Sequence, residues 1–435
     1  MAVLVATLPV ACGHDDSGAP VPFTTRVSVA TGGTEAVGGP SGVPAASADG
    51  RYIAFASDAA NLVPADGNGT TDVFVYDSAT GQTTRVSVSS AGSEATGGGS
   101  RNPSMSADGR YVAFESDATN LVDADTNTVT DIFLHDRTSG ETTRMSVDNS
   151  GNQATGVASF GPAVSADGQH VAYVSGASNL VLGDTNNLPD IFIRDRVANI
   201  TSRVSVSTGG TQGTGPAGST NPSLSADGQF VAFASAMNDL VGDDTNNEYD
   251  VFVHDRLSGA TTRVSVTSTG GQAIGGASDS PSISGDGSIV AFRSSATNLV
   301  TGDTNGADDI FLRDLIGGAT IRASVDSDGA QVLGPSAMRN GGLSSDGSVV
   351  VFESSATNLV ADDTNGVRDV FAHDRTTGRT TRQSVTSGGT QATGGASADA
   401  VISGNGTVVS FDSFASDLVP ADTNGQLDVF RASRR

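Results

Sequence analysis

Residues 103–147 read PSMSADGRYVAFESDATNLVDADTNTVTDIFLHDRTSGETTRMSV, and this stretch is one copy of a unit that the chain repeats seven times. The turn Ser-x-Asp-Gly marks the period. Its third position falls at Asp49, Asp108, Asp167, Asp227, Asp286, Asp346 and Asn405, in steps of 59 or 60 residues. A period this regular means one supersecondary unit stacked on itself. Each unit reads as four strands. Strand A lies around Pro103 to Ser106, and the tight turn Ala107-Asp108-Gly109 leads into strand B, Tyr111 to Ser116. There Val112 and Phe114 alternate with smaller or polar residues, the period-2 signature of a strand. Strand C is Asp131 to Asp136, and strand D runs from Thr142 to Val147 after a turn whose Gly140 supplies a positive φ. Four antiparallel strands, seven times over, predict an all-β, seven-bladed β-propeller.

The ends of the chain sharpen this. The Thr-Thr-Arg-Val-Ser-Val strand and the Asp-[Val/Ile]-Phe strand each occur seven times, but out of phase. The chain opens on a strand D without a blade and closes on a blade without a strand D. Thr24 to Val29 is therefore expected to pair with Asp428 to Arg431, which removes two exposed sheet edges. The propeller is assigned to residues 22–435 and a leader with linker to residues 1–21.

The signature Pro-Ser-x-Ser-Ala-Asp-Gly-x-x-Val-Ala-Phe, followed by strand, turn and strand, resembles the TolB-like, WD-repeat-like propellers of bacteria. The resemblance covers residues 22–435 and implies the fold and a bacterial envelope setting. Such propellers serve as scaffolds, binding modules and parts of enzymes. The family usually has proline in the turn; this chain has Ala, Gly or Ser there.

The sole cysteine, Cys12, precludes an internal disulfide. It follows the apolar run Met1 to Ala11 and precedes Gly13 and a polar stretch, which resembles the end of a lipoprotein signal. That resemblance implies lipidation at Cys12 and a lipid-anchored, periplasmic or surface protein. The net charge is −25: all 23 basic residues are arginine, and aspartate outnumbers glutamate 42 to 6. A polyanion repels phosphates and anionic lipid headgroups, so nucleic acid is excluded as a partner and the membrane is reached only through the anchor. The expectation is a monomer whose partners are proteins or an envelope ligand.

Antiparallel connectivity puts the short A–B and C–D turns on one face and the long B–C loops and D–A connections on the other. Function belongs on the loop-rich face. Each B–C loop carries Asp-x-Asn-x-x-x-Asp: Asp66/Asn68/Asp72, Asp125/Asn127/Asp131, Asp184/Asn186/Asp190, Asp244/Asn246/Asp250, Asp303/Asn305/Asp309, Asp363/Asn365/Asp369 and Asp422/Asn424/Asp428. Oxygen donors at alternate positions suit Ca²⁺, and the pattern resembles the calcium loops of integrin-type propellers. The competing reading is an Asx-turn that holds the loop by its own backbone. The second candidate is the channel mouth before each strand A. There the copies diverge, with Arg101-Asn102, Phe160, Asn221, Asp279, Arg339-Asn340 and Asp399.

His135, His254 and His373 recur at one strand C position in alternate blades and read as surface packing. The strands that line the channel carry small residues and offer no convergent acid, base and nucleophile. The chain has no Trp, and 13 of its 17 Phe lie at repeating B and C positions, so no aromatic platform for a sugar or a single nucleic-acid strand is expected. These features point to a non-enzymatic binding or scaffold propeller, with a hydrolase or lyase acting at the channel mouth as the alternative.

Overall fold

The computed structural model describes residues 24–434. Within them, 28 strands form seven sheets of four antiparallel strands, and no helix occurs among the described residues. Blade one consists of Ser41–Ala46, Tyr52–Ser57, Asp72–Asp77 and Gln82–Arg85, strands A to D from the channel outward. Blade two repeats it with Ser100–Met105, Tyr111–Ser116, Asp131–Asp136 and Thr142–Arg144. Strand D stops at the arginine, and Val147 makes only an isolated bridge to Gln153. Blade seven takes strands A to C from Ser397–Ile402, Val408–Ser413 and Asp428–Ser433, and its strand D is Thr24–Arg26. The register is Thr24↔Ala432, Thr25↔Arg431 and Arg26↔Phe430, and the Val27 amide donates to the Val429 carbonyl at 2.7 Å. The out-of-phase repeat thus closes the ring as expected. Cys12 and residues 1–21, expected to form a leader and linker, lie outside the described residues.

The core is shared between blades. Ala54, Val73 and Val75 of blade one pack with Val112, Phe114 and Phe133 of blade two, and the same slab recurs around the ring. Strands B and C contribute one stacked aromatic pair per blade, such as Phe55–Phe74 at 5.8 Å between centroids. In blade three, Tyr173 takes the phenylalanine's place. Burying each such ring is worth about 1.5–3 kcal/mol.

On the turn face, the A–B turns hydrogen-bond to one another through their backbones. The Ala48 amide donates to Ala107 O, Ala107 to Ala166 O, Ala166 to Ala226 O, Ala226 to Gly285 O, Gly285 to Ser345 O and Ser345 to Gly404 O, all at 2.8–2.9 Å. At the seam the Asn405 amide completes the circle to Ala48 O at 2.8 Å. This explains the missing proline: the residue after the turn serine must donate an N–H, and proline has none. The turn glycine is needed too. Gly109 has φ 70°, and a Cβ there would overlap the Tyr52 ring of blade one. Backbones in hydrogen-bond register stand about 4.8 Å apart, so a heptagon of them has a radius of roughly 5.5 Å before side chains are added. The turn-face end of the channel is accordingly narrow.

Candidate functional site

The Asp/Asn loops already hold a cation, the arginine of strand D. Arg85 Nη1 lies 3.2 Å from Asp66 and 3.1 Å from Asp72. The same clamp recurs around the ring at 3.1–3.9 Å. Arg144 meets Asp125 and Asp131, Arg203 meets Asp184 and Asp190, and Arg263 meets Asp244 and Asp250. Arg322 meets Asp303 and Asp309, and Arg382 meets Asp363 and Asp369. At the seam Arg26 meets Asp422 and Asp428.

The asparagine of every loop makes the Asx-turn. Its Oδ1 accepts the amide two residues on: Asn68 from Thr70, Asn127 from Val129, Asn186 from Leu188 and Asn246 from Glu248. Asn305 accepts from Ala307, Asn365 from Val367 and Asn424 from Gln426, and all seven bonds measure 2.9–3.2 Å. In six blades the asparagine amide also donates to the second aspartate. The pairs are Asn68–Asp72, Asn127–Asp131, Asn246–Asp250, Asn305–Asp309, Asn365–Asp369 and Asn424–Asp428, at 2.8–3.1 Å. Asn186 instead donates only to the Gly213 carbonyl, at 3.0 Å. The second aspartate also accepts the hydroxyl of the serine two residues past the strand D arginine, as Asp72 does from Ser87 and Asp369 from Ser384. The oxygens expected to face Ca²⁺ therefore face a guanidinium, an amide or a hydroxyl of this chain, and the asparagine oxygens point into their own turns. Sequence reasoning did not couple the Thr-Thr-Arg strand to these loops, although both recur seven times.

Two loops differ. Where five blades place a glutamine, Glu94 joins Asp66 and Asp72, and Glu35 joins Asp422 and Asp428. The ligand oxygens of Asp66, Asp72 and Glu94 lie within 4.8 Å of one another, a group of the kind that can hold a metal. Burial and the neighbouring Asp72 push Asp66 up to about 6.

At the channel mouth each complete strand A carries a bulge two residues in from its start. The bulged residue sits in the left-handed region: Val43, Asn102, Gly161, Asn221, Ser280 and Asp399 have φ of 50–62°. Bulges re-aim side chains at functional rims. Arg101, Asn102 and Asp279 meet partners on strand B that sequence reasoning missed. Arg101 Nε lies 3.2 Å from Glu115, and its Nη1 lies 2.8 Å from Asp117. Asn102 donates to Glu115 at 2.8 Å. Asp279 is held bidentately by Arg293. Arg339 meets Asp399 at 3.5 Å. Arg101 and Asp279 thus pair within their own blades, and only Arg339 and Asp399 converge from two blades.

Around that pair two further carboxylates gather, Glu353 and Asp412, 4% and 3% exposed. Glu353 accepts the Ala400 amide at 3.2 Å and faces Arg368 at 3.3 Å. Asp412 accepts the Val43 amide of blade one at 3.3 Å. Burial, then Asp399 and Glu353, push Asp412 up to about 7, and burial and Asp399 raise Glu353 as well. The signal was present in one strand B column, which reads Ala56, Glu115, Val174, Ala234, Arg293, Glu353, Asp412. A column that holds charges inside otherwise apolar strands marks an inward-facing polar site.

The channel behind the mouth holds a cavity of about 500 Å³, lined by the A strands. Phe160 stands on its rim, 38% exposed. His135, His254 and His373 are buried rather than at the surface. Each Nδ1 lies 2.9 Å from a strand D threonine hydroxyl, and burial pulls each imidazole's pKa down.

No protein-family model matches the chain, including any for the WD-repeat part of the resemblance, and no curated protein matches it. Among solved structures, an oligogalacturonate lyase in complex with manganese aligns over 97% of this chain and 95% of its own, at 13% identity and TM-score 0.55. The propeller domain of the Trilobed protease from Pyrococcus furiosus, described as having an open velcro topology, aligns over 95% and 93% at 11% identity and TM-score 0.51. TolB from Acinetobacter baumannii aligns with 65% of the chain at 18% identity and TM-score 0.38; the chain spans about half of that protein (54%). The expectation of a non-enzymatic protein does not stand. It rested on the absence of convergent acid and base groups, whereas Glu353, Asp399 and Asp412 converge beside Arg339, and lyases share the fold over nearly the whole chain. At these identities the likeness shows architecture alone, and that architecture is the β-propeller.

Proposed function

We propose that this chain is a ligand-binding propeller of the bacterial cell envelope, a lipid-tethered monomer whose ligand enters the channel from the loop-rich face. The observation that carries this is a cavity of about 500 Å³ behind a mouth where the otherwise regular blades differ, with the opposite end narrowed by backbone hydrogen bonds. The test is native mass spectrometry after incubation with the low-molecular-weight fraction of a bacterial envelope extract. A bound mass that disappears in Ser280→Trp, which fills the mouth, supports the reading; the same bound mass in both proteins sinks it. The tether rests on the run Met1 to Ala11 before Cys12. An unlipidated Cys12 peptide from cells of the native host would remove that part.

A second reading, a hydrolase or lyase at the same mouth, is favoured by one observation. Asp412, at about 7, stands with Asp399 and Glu353 beside Arg339, so a proton donor and a proton acceptor coexist near neutral pH. Its residues would be Arg339, Asp399 and Asp412, with Arg101 and Asp279 at the outer rim. Cleavage of a glycan or peptide panel that Asp412→Asn leaves unchanged would reject it.

Calcium stabilisation is confined in this proposal to the loop where Glu94 brings a third carboxylate to Asp66 and Asp72, because five other loops match their aspartates with arginine and glutamine. Calcium should then raise the melting temperature, and Glu94→Gln should reduce the rise. A flat titration rejects it.

A further inference from the structure

Blade six breaks the repeat at one point. From the first serine of strand A to the turn aspartate is eight residues in the other blades, as from Ser278 to Asp286, but ten from Ser336 to Asp346. The two extra residues cut strand A to Ser336–Ala337 and throw Met338 to Gly342 into a turn. That turn is built in, not loose. The Gly342 amide donates to Arg339 O at 3.1 Å, the Val351 amide to Gly342 O at 2.7 Å, and the Ile402 amide of blade seven to Gly341 O at 2.9 Å. From its tip, Asn340 Nδ2 donates to Pro222 O of blade four at 2.8 Å, past blade five. No other side chain–backbone hydrogen bond among the described residues joins blades so far apart across the ring. The insertion is a finger laid over the channel, and it forms one wall of the 500 Å³ cavity.

The other walls say what the cavity suits. Its two charged residues are neutralised within the protein. Glu115 is met by Arg101, by Asn102 and by the Gly161 amide at 2.7 Å, and Arg339 is met by Asp399. What faces the space is uncharged. Asn221 Oδ1 accepts from the Thr220 hydroxyl, which leaves its N–H₂ for a ligand, and the Ser280 hydroxyl lines the same side. Phe160 offers a half-exposed ring at the rim, an aromatic platform of the kind the sequence was expected to lack. A ligand ion would have to displace Asp399 from Arg339 or Arg101 from Glu115 to gain a countercharge, and the chain's net charge of −25 further repels anions. Hydroxyls in turn both donate and accept, as asparagine and serine walls require.

Resting on the reading of the mouth as the binding site, we propose that the blade-six finger and Phe160 form a pocket for a neutral saccharide, with the ring packed on Phe160 and the hydroxyls bonded to Asn221, Ser280 and Asn340. The experiment is saturation-transfer NMR and calorimetry on the full chain, with maltotriose, cellotriose and chitotriose as probes and a neutral tripeptide as the competing class. At least one trisaccharide should bind saturably below about 10 mM, and Phe160→Ala and Asn340→Ala should each weaken it about tenfold. Because Asn340→Ala also removes a structural hydrogen bond, Asn221→Ala is run beside it, with melting curves to show that all variants are folded. No binding by any trisaccharide, equal binding by the Phe160→Ala protein, or binding by the tripeptide alone overturns the proposal. These failures are distinguishable from failure of the mouth reading, since a mass from the envelope fraction would still be lost on Ser280→Trp while the saccharides did nothing.

Discussion

Replacing Arg26 with methionine probes the seam of the ring. Arg26 Nη1 lies 3.1 Å from Asp422 and 3.3 Å from Asp428, and Nη2 lies 3.0 Å from Glu35. The arginine and the two aspartate side chains are at most 9% exposed. Methionine keeps the apolar stem and removes the charge, leaving three carboxylates together without a cation. Breaking a buried pair from one side costs about 3–5 kcal/mol, so a loss of about 3 kcal/mol is expected at pH 7.5. The loss should depend on pH. Burial and Asp428 already raise Asp422 above its ordinary value, while Arg26 opposes this. Without Arg26 the folded Asp422 carboxyl rises further. A raised folded pKa gives stability that is present below the unfolded value of about 3.9 and is lost as pH climbs through the folded one. The deficit should therefore be small near pH 4–5 and full above pH 7. Urea unfolding at both pH values measures it. Arg382→Met in blade six is the control, since its loop has the same geometry but Gln391 in place of the third carboxylate, and it should lose less. A deficit under about 1 kcal/mol, or one equal at pH 5 and pH 8, would refute the claim that arginine neutralises these loops.

Asp412→Asn should stabilise the ring in a pH-dependent way. The wild-type group, at about 7, gives up stability as pH rises from about 4 to 7, so the variant's advantage should grow over that window and level off above it; melting scans check this, and a flat difference would place Asp412 in an ordinary environment. Val43→Gly should stabilise by about 1 kcal/mol, because a β-branched residue at φ 59° is strained where glycine is not; chemical unfolding that shows a loss would contradict the bulge geometry. Ala166→Pro should cost about 1 kcal/mol by removing the 2.9 Å amide bond to Ala226, while Ala166→Ser should be nearly neutral. Equal stability of the two would mean that the turn ring contributes nothing.

Some of this protein was decided by residues close together in the chain. The Ser-x-Asp-Gly turn, the alternating Phe positions of strands B and C and the Asx-turn in each loop are settled within a few residues, and the sequence states them seven times. Closure followed from counting strands: Thr24–Arg26 has no blade of its own, and blade seven has no strand D. The arginine in each loop was legible in principle, since Arg85 follows Asp72 by only 13 residues within one blade. What the sequence could not state is what meets at the mouth. Arg339, Glu353, Asp399 and Asp412 come from two blades, and Asp412 also touches Val43, 369 residues earlier. Asn340 reaches Pro222 only because the ring brings blades four and six to one channel. Local rules fix each blade, whereas the site depends on the angle between blades and on the closure of all seven, and that is set by packing between slabs and by the seam at Thr24–Arg26.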